Sequence, residues 1–193
     1  MHADPASPVV AVDVDGVLNP GAGPASEQFG YRPHRYDGPS PAGEHVTGTL
    51  WLHPQHGDWL RELTSRGVLL VWNTSWGPLA ASRIGPRLGL PADLPVIEHR
   101  YHGVTWGRQG KLVGLYAWTG ARPVAVLDDE HGGKDLDHAQ QRTAEGIPTL
   151  LVPVDGYTGL RRHDIDQVHA WLDTLPRPAR PMPPATDPPR PTP

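Results

Sequence analysis

The stretch VVAVDVDGVLN at residues 9–19 decides the fold class. Four apolar, mostly β-branched residues precede Asp13, which predicts a buried strand that ends where the polar residues begin. Two further runs, VLLVW at 68–72 and VAVL at 124–127, also pass directly into polar residues. Short, continuous apolar runs of this kind are typical of parallel strands that are covered on both faces.

Helical segments separate the predicted strands, which also include the weak pair Val96-Ile97 and the run 149–152. Amphipathic spacing and helix-ending glycines predict helices over five segments, namely 55–66, 77–88, 111–118, 135–145 and 164–175. Strands that alternate with helices predict an α/β domain with a doubly wound, mainly parallel sheet and helices on both faces.

The chain of 193 residues is long enough for one domain, which we expect over residues 1–175. Residues 176–193 contain nine prolines in eighteen positions and are expected to form a disordered, proline-rich tail. A Gly- and Pro-rich stretch at 20–49 is expected to be a long loop in which Thr47–Leu52 pairs as a short hairpin. We therefore expect a flap or loop insertion at about 20–53.

The composition excludes several classes of function. A net charge of −4 gives no electrostatic signature for nucleic-acid binding. The absence of cysteine excludes disulfides, thiolate catalysis and cysteine-based metal sites. No apolar run approaches the ~20 residues of a membrane span, and no secretory signal is visible, so a cytoplasmic location is expected.

Polar residues follow each of the three strong strands, and carboxylates dominate among them. The residues are Asp13 and Asp15 after the first strand, Asn73, Thr74 and Ser75 after the second, and Asp128, Asp129 and Glu130 after the third. Ligands of open parallel sheets bind at the carboxyl ends of the strands. Several carboxylates at one edge require a cation, and oxygen donors without His or Cys favour Mg²⁺.

This inventory of side chains suits phosphoryl transfer. An Asp beside Mg²⁺ can attack phosphorus to form an aspartyl-phosphate, and a second carboxylate two residues on can protonate the leaving oxygen and then activate water. A hydroxyl and a lysine can hold the oxygens of the transferring group.

The same residues resemble the motifs of the haloacid dehalogenase (HAD) superfamily. DVDGVLN at 13–19 is similar to the first motif, Thr74 to the second, Lys111 to the lysine of the third, and Asp128-Asp129 to the fourth. Ser75 is the alternative to Thr74. The resemblance covers residues 8 to about 155, and WNTSW, Leu88–Pro91 and LDDE resemble a cap-poor branch described from RNA-repair proteins.

The resemblance implies a fold, a reaction and a set of roles. The first strand is expected to be central in the sheet. Asp13 is expected to be the nucleophile and Asp15 the acid/base, while Thr74 and Lys111 hold the phosphoryl group. Mg²⁺ is expected to bind Asp13, Asp129 and the backbone carbonyl of Asp15, with Asp128 supporting it indirectly or through water. Glu130 and Asp135 rank as lesser contributors.

The spacing of the motifs leaves no room for a large cap, either between the first two motifs or between Thr74 and Lys111. An open site favours an extended or macromolecular substrate. The expected partner is a phosphorylated substrate, which is either a small molecule or a nucleic-acid end. Oligomeric state stays open. Two alternatives remain, a nucleic-acid end-processing phosphatase of the same chemistry and a catalytically silent HAD-like binding module.

Ordinary structural roles compete with several of these assignments. Asp13 and Asp15 are also consistent with a turn, Asp128-Asp129 with a helix cap, and Lys111 with a solvated side chain, with Lys134 as its competitor. Pro54 between His53 and His56 disfavours a zinc site. Trp72 and Trp76 flank the predicted site, where core packing is favoured over stacking on a base. For the loop residues Arg32, His34 and Arg35, solvation is favoured over a phosphate contact.

Overall fold

The computed structural model describes residues 7–99 and 109–176. Within them lie six strands: β1 (Val9–Val12), β2 (Arg32–Pro39), β3 (His45–Leu52), β4 (Leu69–Trp72), β5 (Val124–Asp128) and β6 (Thr149–Pro153). The α-helices are α1 (His56–Ser65), α2 (Gln109–Thr119), α3 (Gly133–Ala144) and α4 (Arg162–Thr174). The predicted proline-rich tail lies outside the described residues, apart from Pro176.

The main sheet has four parallel strands in the order β4-β1-β5-β6. Strand β1 pairs on both edges, so that Val12 lies opposite Trp72 of β4 and Leu127 of β5. The weak strand predicted at Val96-Ile97 is reduced to a single bridge between Val96 and Trp72. The predicted parallel sheet with a central first strand is confirmed.

Helices cover both faces of this sheet. Alternate side chains of β1 point to opposite faces, and each set packs against different helices. Val10 and Val12 belong to a core cluster with Leu60 and Leu63 of α1 and with Ile165 and Val168 of α4. Val9 and Ala11 belong to a second cluster with Leu112 and Leu115 of α2 and with Ala139 of α3. The doubly wound arrangement is therefore confirmed.

The segment expected to be a long loop is largely a hairpin: the pairing expected for Thr47–Leu52 is confirmed, and the loop prediction is wrong for the residues of β2. After a short 3₁₀ helix at Gly23–Phe29, strands β2 and β3 pair antiparallel over eight residues each. The prolines and glycines of β2 suggested a loop. A two-stranded ribbon tolerates them because one edge of each strand needs no ladder hydrogen bond. The insertion is a hairpin, and no large cap is seen in the described residues.

The prediction of one regular helix over 77–88 is also wrong. The chain forms a π-helical turn at Ala80–Ile84 and then a 3₁₀ turn at Gly85–Leu88. Pro86 explains the break, because proline has no N–H to donate and its ring clashes with the carbonyl four residues earlier. The remaining predicted helices agree with α1 to α4 within about two residues at each end. Among the described residues, no helix combines the length and hydrophobicity that a bilayer crossing requires.

Helix α1 approaches the 3₁₀ turn so closely that one position excludes a side chain. Gly57 is buried against the backbone carbonyl of Leu88, and a Cβ at residue 57 would overlap that oxygen. A Cβ added to Gly114, inside α2, would meet its neighbours only at ordinary van der Waals distances.

We therefore expect the same substitution to have opposite effects at these two glycines. Gly57→Ala should lower the free energy of unfolding by about 2 kcal/mol, because backbone must move to relieve the clash. Gly114→Ala should raise it by up to about 1 kcal/mol, because alanine favours the helix. Urea unfolding of both variants checks this, and equal effects would contradict the close approach of α1 to Leu88.

Candidate functional site

The parallel strands stay aligned past their last paired residues, which brings their polar ends together. The N–H of Asp13 donates to Leu127 O at 3.1 Å, and the N–H of Asn73 donates to Val12 O at 3.0 Å. Asp13, Asn73 and Asp128 therefore lie along the same carboxyl edge of the sheet, where an open parallel sheet binds its ligands.

Three carboxylates at this edge form a compact group, called here the acidic triad: Asp13, Asp128 and Asp129. One oxygen from each lies within 4.8 Å of the other two. Asp13 and Asp128 are almost fully buried. The carboxylate of Asp129 lies so close to Gly16 and Gly156 that a Cβ at either position would overlap it. All the potential ligand atoms are carboxylate oxygens, and the backbone at Gly16 and Gly156 packs closely against the carboxylate of Asp129. These residues therefore fit a hard cation such as Mg²⁺.

Lys111 bridges two members of the acidic triad. Its ammonium donates to Asp13 Oδ2 and, at 3.1 Å, to Asp128 Oδ2. The side chain is only 22% exposed, so the alternative in which Lys111 is simply solvated is wrong. The competing Lys134 is exposed in the first turn of α3.

The electrostatics of the group show an excess of negative charge. Burial and the Asp128 carboxylate raise the pKa of Asp13, against the opposing effect of Lys111. Burial and Asp128 also raise the pKa of Asp129. Burial disfavours the charged form of Lys111, but Asp13 and Asp128 outweigh it and raise the pKa of the ammonium. One lysine beside three carboxylates leaves a net negative site, which a divalent cation would neutralise.

Thr74 lies beside the nucleophile candidate. Its side chain is buried, and its hydroxyl favours the charged form of the neighbouring Asp13 carboxylate and so lowers the pKa of that acid. The same oxygen accepts the backbone N–H of Trp76 at 3.3 Å. Ser75, the alternative residue, is only partly buried. The structure thus brings Thr74 to the Asp13 carboxylate.

Asp15 is exposed and lies outside the acidic triad, so its predicted part in metal binding concerns its backbone carbonyl alone. Its two carboxylate oxygens accept different donors. Asn19 Nδ2 donates to Oδ1 at 3.0 Å, and the indole Nε1 of Trp76 donates to Oδ2 at 2.8 Å. Sequence reasoning missed both donors. The available signals were the Asn that ends DVDGVLN and the Trp that lies two residues after Thr74.

The lesser candidates have other partners. Asp135 is buried in the first turn of α3, where its carboxylate accepts the N–H of Gly132 at 2.8 Å and caps the helix. Glu130 is exposed, and its backbone N–H donates to Asp128 Oδ1 at 2.9 Å. Neither carboxylate belongs to the acidic triad.

The two histidines considered for zinc pack in an aromatic cluster. His53 and His56 are stacked on each other, and both contact Tyr31 and Trp59. His56 Nε2 lies 3.0 Å from Leu160 O, and burial lowers the pKa of His56 to about 3. These contacts join α1 to the segment that precedes α4.

Arg32, His34 and Arg35 lie on strand β2 and not in a loop, as the sequence had suggested. Arg35, Arg83 and Arg87 are exposed and together form what we call the arginine surface. Arg87 Nη2 donates to Arg35 O at 3.5 Å, and the Arg83 guanidinium lies against Gly38 of β2. Within the described residues, neither Arg83 nor Arg87 has a carboxylate within 4.0 Å, while Arg35 pairs with Asp37 at 3.7 Å.

A comparison with protein families matches residues 9–165 to the model described as the HAD domain in Swiss Army Knife RNA repair proteins. The chain belongs to this HAD family. A comparison with curated proteins gives no match. The match contains the four resembling motifs, and the expected HAD membership is confirmed. HAD domains are generally hydrolases and usually use Mg²⁺, in keeping with the acidic triad.

We expect Mg²⁺ to raise the thermal stability of this HAD domain, since a ligand that binds only the folded state adds about 2.7 kcal/mol at 100 times its Kd. Asp129→Asn should abolish most of the rise in Tm, because it removes one anionic donor. Metal-free Asp129→Asn should be at least as stable as the wild type, since like-charge repulsion is relieved. Glu130→Gln, outside the acidic triad, is the matched control and should respond to Mg²⁺ like the wild type. An undiminished response of Asp129→Asn would contradict its role as a ligand.

Proposed function

We propose that this HAD domain is a Mg²⁺-dependent phosphomonoester hydrolase that acts through an aspartyl-phosphate. The observation that carries the proposal is the buried Asp13 carboxylate, which contacts Lys111 and lies within the acidic triad. Asp13, Asp129 and the backbone carbonyl of Asp15 would hold the ion, with Asp128 supporting it. When bound, Mg²⁺ neutralises the carboxylates and the phosphate, which otherwise repel each other.

In the first step, a carboxylate oxygen of Asp13 attacks phosphorus and forms a new P–O bond. The bond from phosphorus to the leaving oxygen breaks, and its electron pair stays on that oxygen. Asp15 in its protonated form gives its proton to the leaving oxygen, so that an alcohol departs. The phosphoryl group is then carried on Asp13.

In the second step, a water oxygen attacks the same phosphorus while the Asp15 carboxylate takes a proton from that water. The P–O bond to Asp13 breaks, and its electron pair returns to the Asp13 carboxylate. Inorganic phosphate leaves, and Asp15 is protonated again for the next cycle. A single carboxylate thus serves as acid and then as base.

Lys111 and Thr74 would hold the transferring group between these steps. The ammonium of Lys111 already lies at the Asp13 carboxylate, so it is available to the oxygens of a phosphoryl group bound there. Thr74 contributes a hydroxyl next to the same carboxylate. The chemistry up to the aspartyl-phosphate is shared with phosphotransferases, which differ in the acceptor that replaces water.

We expect Asp13→Asn to lower phosphate release by roughly 10³-fold or more, because the amide is a poor nucleophile. The assay is release from p-nitrophenyl phosphate and from a panel of phosphorylated metabolites and 5′- or 3′-phosphorylated oligonucleotides, with Mg²⁺ and with chelator. Asp93→Asn, an isosteric change at an exposed carboxylate, is the control. Mg²⁺ binding without turnover of any substrate would favour the silent binding module.

A phosphate at a nucleic-acid end is the second candidate substrate. The matched family is described from RNA repair proteins, and no large cap encloses the site in the described residues. The arginine surface supports this candidate despite the net charge of −4. It includes Arg35 of the β2–β3 hairpin, whose Tyr36 ring packs edge-on against Trp76 beside Asp15. Exposed guanidinium groups there suit the phosphates that flank a terminal one.

If this candidate is correct, Arg83→Gln should weaken binding of a phosphorylated oligonucleotide and reduce the salt dependence of log K by about 1. Arg122→Gln is the control, because Arg122 precedes β5 at the opposite end of the sheet. Fluorescence anisotropy over a series of salt concentrations measures both variants. Equal salt slopes in wild type and Arg83→Gln would remove the arginine surface from substrate binding.

A further inference from the structure

We propose that Trp76 and Asn19 are positioning residues that hold the Asp15 carboxylate for proton transfer, and that the β2–β3 hairpin keeps both donors in place. The inference rests on the proposed hydrolase reaction, in which Asp15 first gives and then takes a proton. It adds two residues to the site that act on the reaction through Asp15.

The need for positioning follows from the exposure of Asp15. An exposed aspartate ordinarily samples several rotamers, and ordering it for reaction costs conformational entropy. Here each carboxylate oxygen has its own donor, at 2.8 Å from Trp76 and at 3.0 Å from Asn19. Two donors, one on each carboxylate oxygen, restrict both torsions of the side chain.

The indole donor is itself immobilised by packing. Trp76 is only 7% exposed and belongs to the core cluster between the sheet and α1. The ring of Tyr36, on β2, packs edge-on against it with centroids 5.4 Å apart and an angle of 89°. The Tyr36 hydroxyl in turn donates to Pro39 O at the end of the same strand. Because the indole ring is buried and packed against Tyr36, its N–H can donate in one direction only.

The amide donor is oriented from the other strand of the hairpin. The backbone N–H of Trp51, on β3, donates to Asn19 Oδ1 at 2.9 Å. With its oxygen engaged there, Asn19 directs its NH₂ group to Asp15. Strands β2 and β3 therefore each hold one of the two donors. A hairpin with no residue in the acidic triad thus controls the geometry of the acid/base.

Positioning of this kind matters most when the leaving oxygen needs a proton. An alkoxide is a poor leaving group, whereas nitrophenolate departs without protonation. Loss of the indole N–H should therefore slow an alkyl phosphate far more than an aryl phosphate. A purely structural role for Trp76 would slow both substrates alike.

The test compares Trp76→Phe with Trp59→Phe, a control tryptophan that packs against His53 and His56 away from Asp15. We expect Trp76→Phe to lower kcat/KM for glycerol 2-phosphate by about tenfold or more, and kcat/KM for p-nitrophenyl phosphate by less than about twofold. The ratio kcat/KM is compared because it reports the first step alone, whereas the second step uses Asp15 as a base for both substrates. Asn19→Ser removes the other donor without touching the core, and we expect the same pattern.

A double-mutant cycle then identifies the residue through which Trp76 acts. In an Asp15→Asn background, Trp76→Phe should have no further effect on either substrate, because the group that it positions is gone. Additive losses, or equal losses on the two substrates in both Trp76→Phe and Asn19→Ser, would overturn the inference and leave the proposed function standing. A wild type that releases no phosphate from any substrate would overturn both.

Discussion

The contact of Lys111 with Asp13 and Asp128 is the interaction on which the rest of the site depends. Three carboxylates converge where the parallel strands end, and burial alone would make their joint ionisation costly. The Lys111 ammonium neutralises part of the negative charge of these carboxylates. The negative charge that remains favours binding of a divalent cation. The same negative charge supports the proposed chemistry by binding a cation. The bound cation and the lysine then attract the phosphate that three carboxylates alone would repel.

The sequence predicted most of the sheet and all of the acidic triad, because both follow from local patterns. Strand β1 is a continuous apolar run, and Asp13 lies where it ends, so backbone direction alone brings Asp13 to the ligand-binding edge. Asp128 and Asp129 follow from the same argument on β5. Lys111 was harder, because a residue on α2 approaches the edge only through the packing of that helix on the sheet.

What the sequence did not reveal depends on contacts between distant segments. Of the β2–β3 hairpin only the pairing of Thr47–Leu52 was expected, because the prolines and glycines of β2, which a two-stranded ribbon tolerates, suggested a loop. The role of Trp76 was hidden because a buried tryptophan ordinarily signals core packing, and Trp76 does pack in the core. Its N–H reaches Asp15 across 61 positions of the chain, a pairing that no spacing rule supplies.

The placement of β1 has a further consequence for how the site moves. Its four residues are bonded to strands on both edges and covered by helices on both faces, so we expect their amides to be among the slowest of the domain to exchange with solvent. Asp13 directly follows this segment, whereas the side chain of Asp15, two residues later, is exposed. The proposed nucleophile is therefore anchored to backbone that is buried and paired on both edges. The side chain of the proposed proton carrier is exposed, and two donors that the β2–β3 hairpin holds in place restrain it.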